Sequence, residues 1–328
     1  MRIMERTTTF GLIVGARGFF NAQLAAEGRK QLLAKLDELG YNYVIPPEDA
    51  TPNGVIETLA DARVCAELFS QNAEEIDGIV VVLPTFGDEV GVVQTLDIAK
   101  LNVPVLVQAC DDDLDKLDVA NRRDSFCGKL SVCNNLYQYS IPFTNTSLHT
   151  YPIDSHHFAK DLDSFARVCR VVKGLRGARI GAIGARPAAF QTVRFSEKIL
   201  QAAGITVIPV DLSEIIFGAQ ALGDDEKVVQ GKLAEIRAYG RIPERIPVEY
   251  ILRQAKLSIV IDRWMEDNEC DASAVECWDS IQKNYGCATC LSMSMMGERL
   301  MPSACEVDVV GAVSMYALLL ASGNPPGF

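Results

Sequence analysis

Gly78-Ile79-Val80-Val81-Val82-Leu83 is an unbroken apolar run with no polar residue on alternate positions. A strand with one face in water alternates apolar and polar, so an unbroken run marks a strand covered on both faces. Such a strand needs helices above and below it, which means a parallel sheet with helical crossovers. The flanking chain supplies these pieces. Residues 8–14 form a short apolar strand ending at Gly15-Ala16-Arg17-Gly18, and residues 22–39 carry Leu24, Leu32, Leu33, Leu36 and Leu39 at helical spacing before Gly40. Tyr43-Val44-Ile45 reads as a second strand and residues 53–69 as a second helix. After the turn Pro84-Thr85-Phe86-Gly87-Asp88 comes another helix, then a strand over 103–107, a helix over 129–140 and a fifth strand at Ile141-Pro142-Phe143.

The polar break over 152–157 divides the chain into a first α/β domain, 1–155, and a second, 156–328. The second opens with a helix over 158–172 and a strand over 178–184, and has another strand over 206–210 with Asp211 or Ser213 as the next cap. Helices are expected over 224–239 and 247–265, the latter interrupted near Lys256. Ser273-Ala274-Val275 is a strand with Glu276 at its carboxyl end, and residues 287–291 read as a last strand. The fold class is therefore α/β, with two consecutive doubly wound, Rossmann-like parallel sheets. Ser322-Gly323-Asn324-Pro325-Pro326-Gly327 is linker chemistry, and a further domain is expected beyond it.

A net charge of −12 and the lack of any basic patch exclude nucleic acid and anionic membranes as partners. The apolar start of the chain is too short for a signal or a span, so a cytoplasmic protein is expected. Its 10 cysteines lie mostly in apolar runs and read as reduced thiols.

Chemistry concentrates near the end of the chain. Cys305-Glu306-Val307-Asp308 sets two acids at the mouth of an apolar segment, and Glu276 ends another apolar run. Read locally, Asp308 is a helix N-cap, Glu306 is solvated and Glu276 faces an arginine. A divalent metal is the alternative, since acids in apolar surroundings require a partner. On a helix Glu306 and Asp308 would diverge by about 200°, whereas an extended segment would put them on one face. Cys287-Ala288-Thr289-Cys290 has the shape of half a zinc site and would need Cys277 and Cys305 to complete it. Two residues three apart on a strand face opposite ways, so no structural zinc is expected. Gly15-Ala16-Arg17-Gly18 has Phe20 where a dinucleotide fingerprint needs a third glycine, and it reads as a tight turn that presents Arg17. Asp111-Asp112-Asp113 and the three histidines, His149, His156 and His157, read as solvated.

Residues 305–312, Cys-Glu-Val-Asp-Val-Val-Gly-Ala, resemble the acidic signature of the L-fucose isomerase-like family, relatives of L-arabinose isomerase. Residues 124–135 and 184–190 match the same group, so the likeness runs along nearly the whole chain. The resemblance implies two α/β domains followed by a C-terminal β-rich domain that is absent from this chain. It implies a metal-dependent intramolecular oxidoreductase that interconverts an aldose and its ketose through an enediol. The metal would be Mn2+ or another divalent ion, held by Glu276 and Asp308, with Glu306 as substitute for Asp308 and a histidine from beyond Phe328. Glu276 and Asp308 would also be the catalytic acids. Arg17 and Phe86, reaching over from a neighbouring subunit, and Arg186 would bind the monosaccharide, in a homo-oligomer such as a trimer or hexamer. The alternative is a non-catalytic sugar-binding or assembly protein of the same fold.

Overall fold

The computed structural model describes residues 6–326. The chain separates into two compact units that meet in sequence at Lys173 and Gly174. The first unit holds β1 (Thr9–Val14), α1 (Ala22–Leu39), β2 (Asn42–Val44), α2 (Leu59–Gln71) and β3 (Gly78–Leu83). It continues with α3 (Glu89–Ala99), β4 (Val105–Ala109), α4 (Ser125–Gln138), β5 (Thr144–Asn145) and most of α5 (His156–Leu175). The five strands are all parallel, in the order β2-β1-β3-β4-β5. Every residue of β1 and β3 is buried, as unbroken apolar runs require.

One face of this sheet packs Phe10, Leu12 and Val80 against Leu32 and Leu36 of α1 and Phe158, Leu162 and Phe165 of α5. The helix α5, which the sequence reading placed at the head of the second domain, is thus mostly part of the first unit. Its apolar stripe has a partner there, and the polar break over 152–157 is only the turn that leads into it. Gly78 permits this packing, because a Cβ there would come within 2.4 Å of Cys169 Sγ on α5. The opposite face joins Ile79 and Val81 to Phe69 of α2, Val92 of α3 and Leu136 of α4.

The second unit holds β6 (Arg179–Ile183), α6 (Glu197–Ala202), β7 (Thr206–Val210), α7 (Leu212–Ala221), α8 (Lys227–Tyr239) and α9 (Val248–Asp267). It ends with β8 (Ala272–Val275), α10 (Ser280–Asn284), α11 (Cys290–Glu298), β9 (Ser303–Cys305) and α12 (Val309–Ser322). Its parallel strands run in the order β7-β6-β8-β9. Both sheets are doubly wound: the chain leaves β1 and β6 to one side and returns on the other. Each sheet therefore has a switch point, between β1 and β3 and between β6 and β8, where α/β proteins bind ligands outside the carboxyl ends of strands.

Several elements differ from the periodicity. The second helix starts at Leu59 rather than near residue 53, because Thr58 and Asp61 form a reciprocal capping box. The α9 helix runs unbroken through Lys256. Residues 287–291 are not a strand, since Cys290 opens α11, and the last strand of the sheet is Ser303–Cys305. A short apolar run does not separate strand from helix by itself.

Candidate active site

At the switch point of the second sheet, Gly184 directly follows β6, Glu276 directly follows β8 and Cys305 ends β9, all at the carboxyl edge. Glu276 is 8% exposed, and its Oε2 accepts a hydrogen bond from the Ala185 N–H at 2.9 Å. Its own N–H donates to Ile183 O, so both its backbone and its carboxylate are tied to the β6 edge. Gly184, at φ +88°, is the residue that allows this approach.

Beside it the chain makes a tight reversal. The Asp308 N–H donates to Cys305 O at 3.0 Å, and the two residues between them, Glu306 and Val307, both have φ +56°. The left-handed region is unfavourable for any residue with a Cβ, and most so for a β-branched one. Such strain persists only where surrounding structure imposes it, and it clusters at functional sites. The segment is thus neither extended nor helical at Glu306, and the turn folds that side chain inward. Glu306 is 6% exposed, its Oε1 accepts from the Cys305 thiol at 3.6 Å, and its buried Oε2 has no hydrogen-bond partner. It is not the solvated acid of the local reading. Burial pushes its carboxyl above the usual range, against the hydrogen bond from the Cys305 thiol and, more weakly, the Cys277 and Trp278 N–H groups, and the negative charge of Glu276 adds to the rise.

Asp308 is the N-cap of α12: its Oδ1 accepts from the Gly311 N–H at 2.8 Å. Cys277 and Cys305 stand with Glu306, their ligand atoms all within 4.8 Å of one another, a group able to hold a metal ion. Burial pushes the Cys305 thiol up to about 12, with Cys277 and Glu306 adding to the shift.

Arg186 curls back over its own loop and donates to the carbonyls of Pro187 and Phe190 at 2.8 and 3.0 Å. That loop sets Phe190 edge-on against Trp278, with ring centroids 4.8 Å apart and Trp278 53% exposed. The pair forms an aromatic wall two residues from Glu276. Sequence reading passed over both rings, although a tryptophan two residues after an acid that ends an apolar run is a usable signal.

In the first unit, Arg17 and Phe86 come together at the switch point between β1 and β3. The guanidinium of Arg17 lies 4.6 Å from the Phe86 ring centroid and pairs with Asp88 and Glu89 at 3.2 and 2.7 Å. Phe86 also stacks on Phe20, the residue that replaces the third glycine of a dinucleotide loop. Asp112 is taken up by the N–H groups of Arg123 and Asp124, and Asp113 by Lys116. His149, His156 and His157 are exposed and meet aromatic rings rather than acids.

Two doubly wound α/β units, one bearing converging buried carboxylates at its switch point, define a protein built to act on a small polar ligand. Residues 11–176 match the family model described as fucose/sulfoquinovose isomerase, N-terminal domain. The chain is 26% identical over 325 residues to the sulfoquinovose isomerase of Priestia aryabhattai, covering 98% of this chain and 69% of that protein. Against the sulfoquinovose isomerase of Alkalicoccus urumqiensis it is 26% identical over 258 residues, 76% of this chain and 55% of the relative. The chain belongs to the fucose/sulfoquinovose isomerase family. Its enzyme class is thus the one the resemblance implied, an aldose–ketose sugar isomerase.

Proposed function

We propose that the protein interconverts an aldose and its ketose at the carboxyl edge of the second sheet, with a divalent metal such as manganese. The observation that carries this is the nearness of Glu276 and Glu306, two buried carboxylates close enough for the charge of the first to act on the second, which has an orphaned oxygen. An orphaned buried carboxylate oxygen is costly unless a cation or a proton meets it. All-oxygen donors suit a hard ion such as Mn2+ or Mg2+.

Glu276 and Asp308 would hold the metal, and Glu306 is the proton carrier. When bound, the ion supplies Lewis-acid polarisation of the sugar carbonyl. Glu306 takes the proton from C2, the electron pair left behind forms the C1=C2 bond of an enediol as the carbonyl pair moves onto O1, and O1 takes the proton that the O2 hydroxyl gives up. Glu306 then returns its proton to C1, the C1=C2 pair forming the new C1–H bond as the O2 pair closes to the carbonyl, leaving the ketone at C2. The proton on Glu306 exchanges with water before it returns, which carries solvent hydrogen to C1. The Phe190–Trp278 wall and Arg186 would orient the sugar. Arg17 and Phe86 would reach it from a neighbouring copy in a trimer or hexamer, acting in the cytoplasm. The names of the relatives make sulfoquinovose the first aldose to test, followed by L-fucose.

The test is incubation with a panel of aldoses in heavy water, with and without chelator. The expected result is ketose carrying solvent deuterium, lost with chelator and restored by manganese. No turnover of any sugar by manganese-loaded protein would move the reading to a sugar-binding or assembly role.

A further inference from the structure

The residues around Glu306 include more sulfur than an aldose–ketose site requires. Cys277 follows β8 by two residues, Cys305 closes β9, and Val275 of β8 pairs in register with Cys305. Parallel register therefore brings both thiols to one edge. Cys290, the first residue of α11, reaches the same place, with its Sγ 3.3 Å from Cys277 Sγ. The ligand atoms of Cys277, Cys305 and Glu306 lie within 4.8 Å of one another, and Glu306 Oε2 is buried without a partner.

Zinc takes four ligands at tetrahedral corners, with zinc–sulfur bonds of about 2.3 Å, which puts its ligand atoms roughly 3.8 Å apart. The 3.3 Å between the Cys277 and Cys290 sulfurs and the limit of 4.8 Å among Cys277, Cys305 and Glu306 bracket that value. Thiolates favour zinc-class ions over manganese or magnesium, which prefer oxygen.

We propose that Cys277, Cys290, Cys305 and Glu306 form a binding site for a zinc-class divalent cation, which adjoins the hard-metal site of Glu276 and Asp308 and engages the proton carrier Glu306. The site stands on its own geometry. One consequence rests on the isomerase reading: an ion held there would take Glu306 away from proton transfer, so zinc would inhibit.

The test uses reduced, chelator-stripped protein titrated with cobalt(II) and then zinc(II). A thiolate-to-cobalt charge-transfer band should appear, saturate at one ion per chain and bleach as zinc displaces cobalt. It should weaken or be lost in Cys277→Ser and in Cys305→Ser, each of which leaves two thiolates, and be kept in Glu276→Gln. Wild-type protein gives a second measurement that needs no variant: zinc should suppress alkylation of the exposed Cys290 while the exposed Cys127 still reacts. A band of unchanged intensity in both serine variants would overturn the site. So would the absence of a thiolate band together with undiminished alkylation of Cys290. Turnover enters none of these readouts, so failure of the isomerase reading would leave them intact.

Discussion

A Cβ built on Gly184 would stand 2.5 Å from Glu276 Oε2 and 2.8 Å from Glu276 Cβ. The glycine directly after β6 is thus what lets the acid directly after β8 accept the Ala185 N–H. Gly184→Ala should lose about 1–2 kcal/mol from the left-handed backbone alone, with a further loss from the clash. The melting temperature should fall by roughly 2–4 °C per kcal/mol in a unit of this size. Isomerase activity should fall further than the loss of folded protein explains, which steady-state kinetics at a temperature well below the melt would show.

Glu306→Gln should separate activity from stability. Turnover should drop roughly 100- to 10,000-fold if Glu306 carries the proton. Because burial raises the Glu306 carboxyl in the folded state, the native protein holds its proton to higher pH than the unfolded chain does. The wild type then loses stability as pH rises from the ordinary carboxylate range through the raised folded value. Glu306→Gln should therefore melt above wild type at neutral pH, and the gap should close as pH is lowered below that range. A variant less stable than wild type at neutral pH would show that the Glu306 carboxylate has a stabilising partner.

Asp308 permits a clean comparison, since Asn and Asp cap helices about equally well. Asp308→Ala should lose about 1 kcal/mol of stability with the cap, while Asp308→Asn should melt close to wild type. If Asp308 also holds the metal, Asp308→Asn should lose manganese and activity despite its intact fold. Thermal melts read beside metal analysis separate the two roles. Activity retained in Asp308→Asn would leave Asp308 a cap only.

Glu276→Gln keeps an amide oxygen that can accept from Ala185, so the fold should persist. Manganese content should fall well below stoichiometry, and solvent deuterium should no longer enter the sugar. Unchanged metal content in both Glu276→Gln and Asp308→Asn would remove these two acids from the metal site.

Much of the architecture was legible from residues alone. The unbroken apolar run of β3 demanded cover on both faces, and that requirement led to parallel strands, crossover helices and doubly wound sheets. Glu276 at the end of β8 was readable for the same reason, since a polar residue ending a buried run must lie at a sheet edge. These properties depend on periodicity and burial over a few neighbouring residues. The membership of α5 was not legible, because its apolar stripe would have served either sheet. Nor was the turn at Glu306 and Val307: no local preference places a valine at φ +56°, and the packing of β8, β9 and α12 imposes it. The meeting of Cys277, Cys290 and Cys305 with Glu306 likewise belongs to tertiary structure. It depends on the register of two parallel strands and on Cys290 opening a helix rather than lying in a strand, contacts set by residues far apart in the chain.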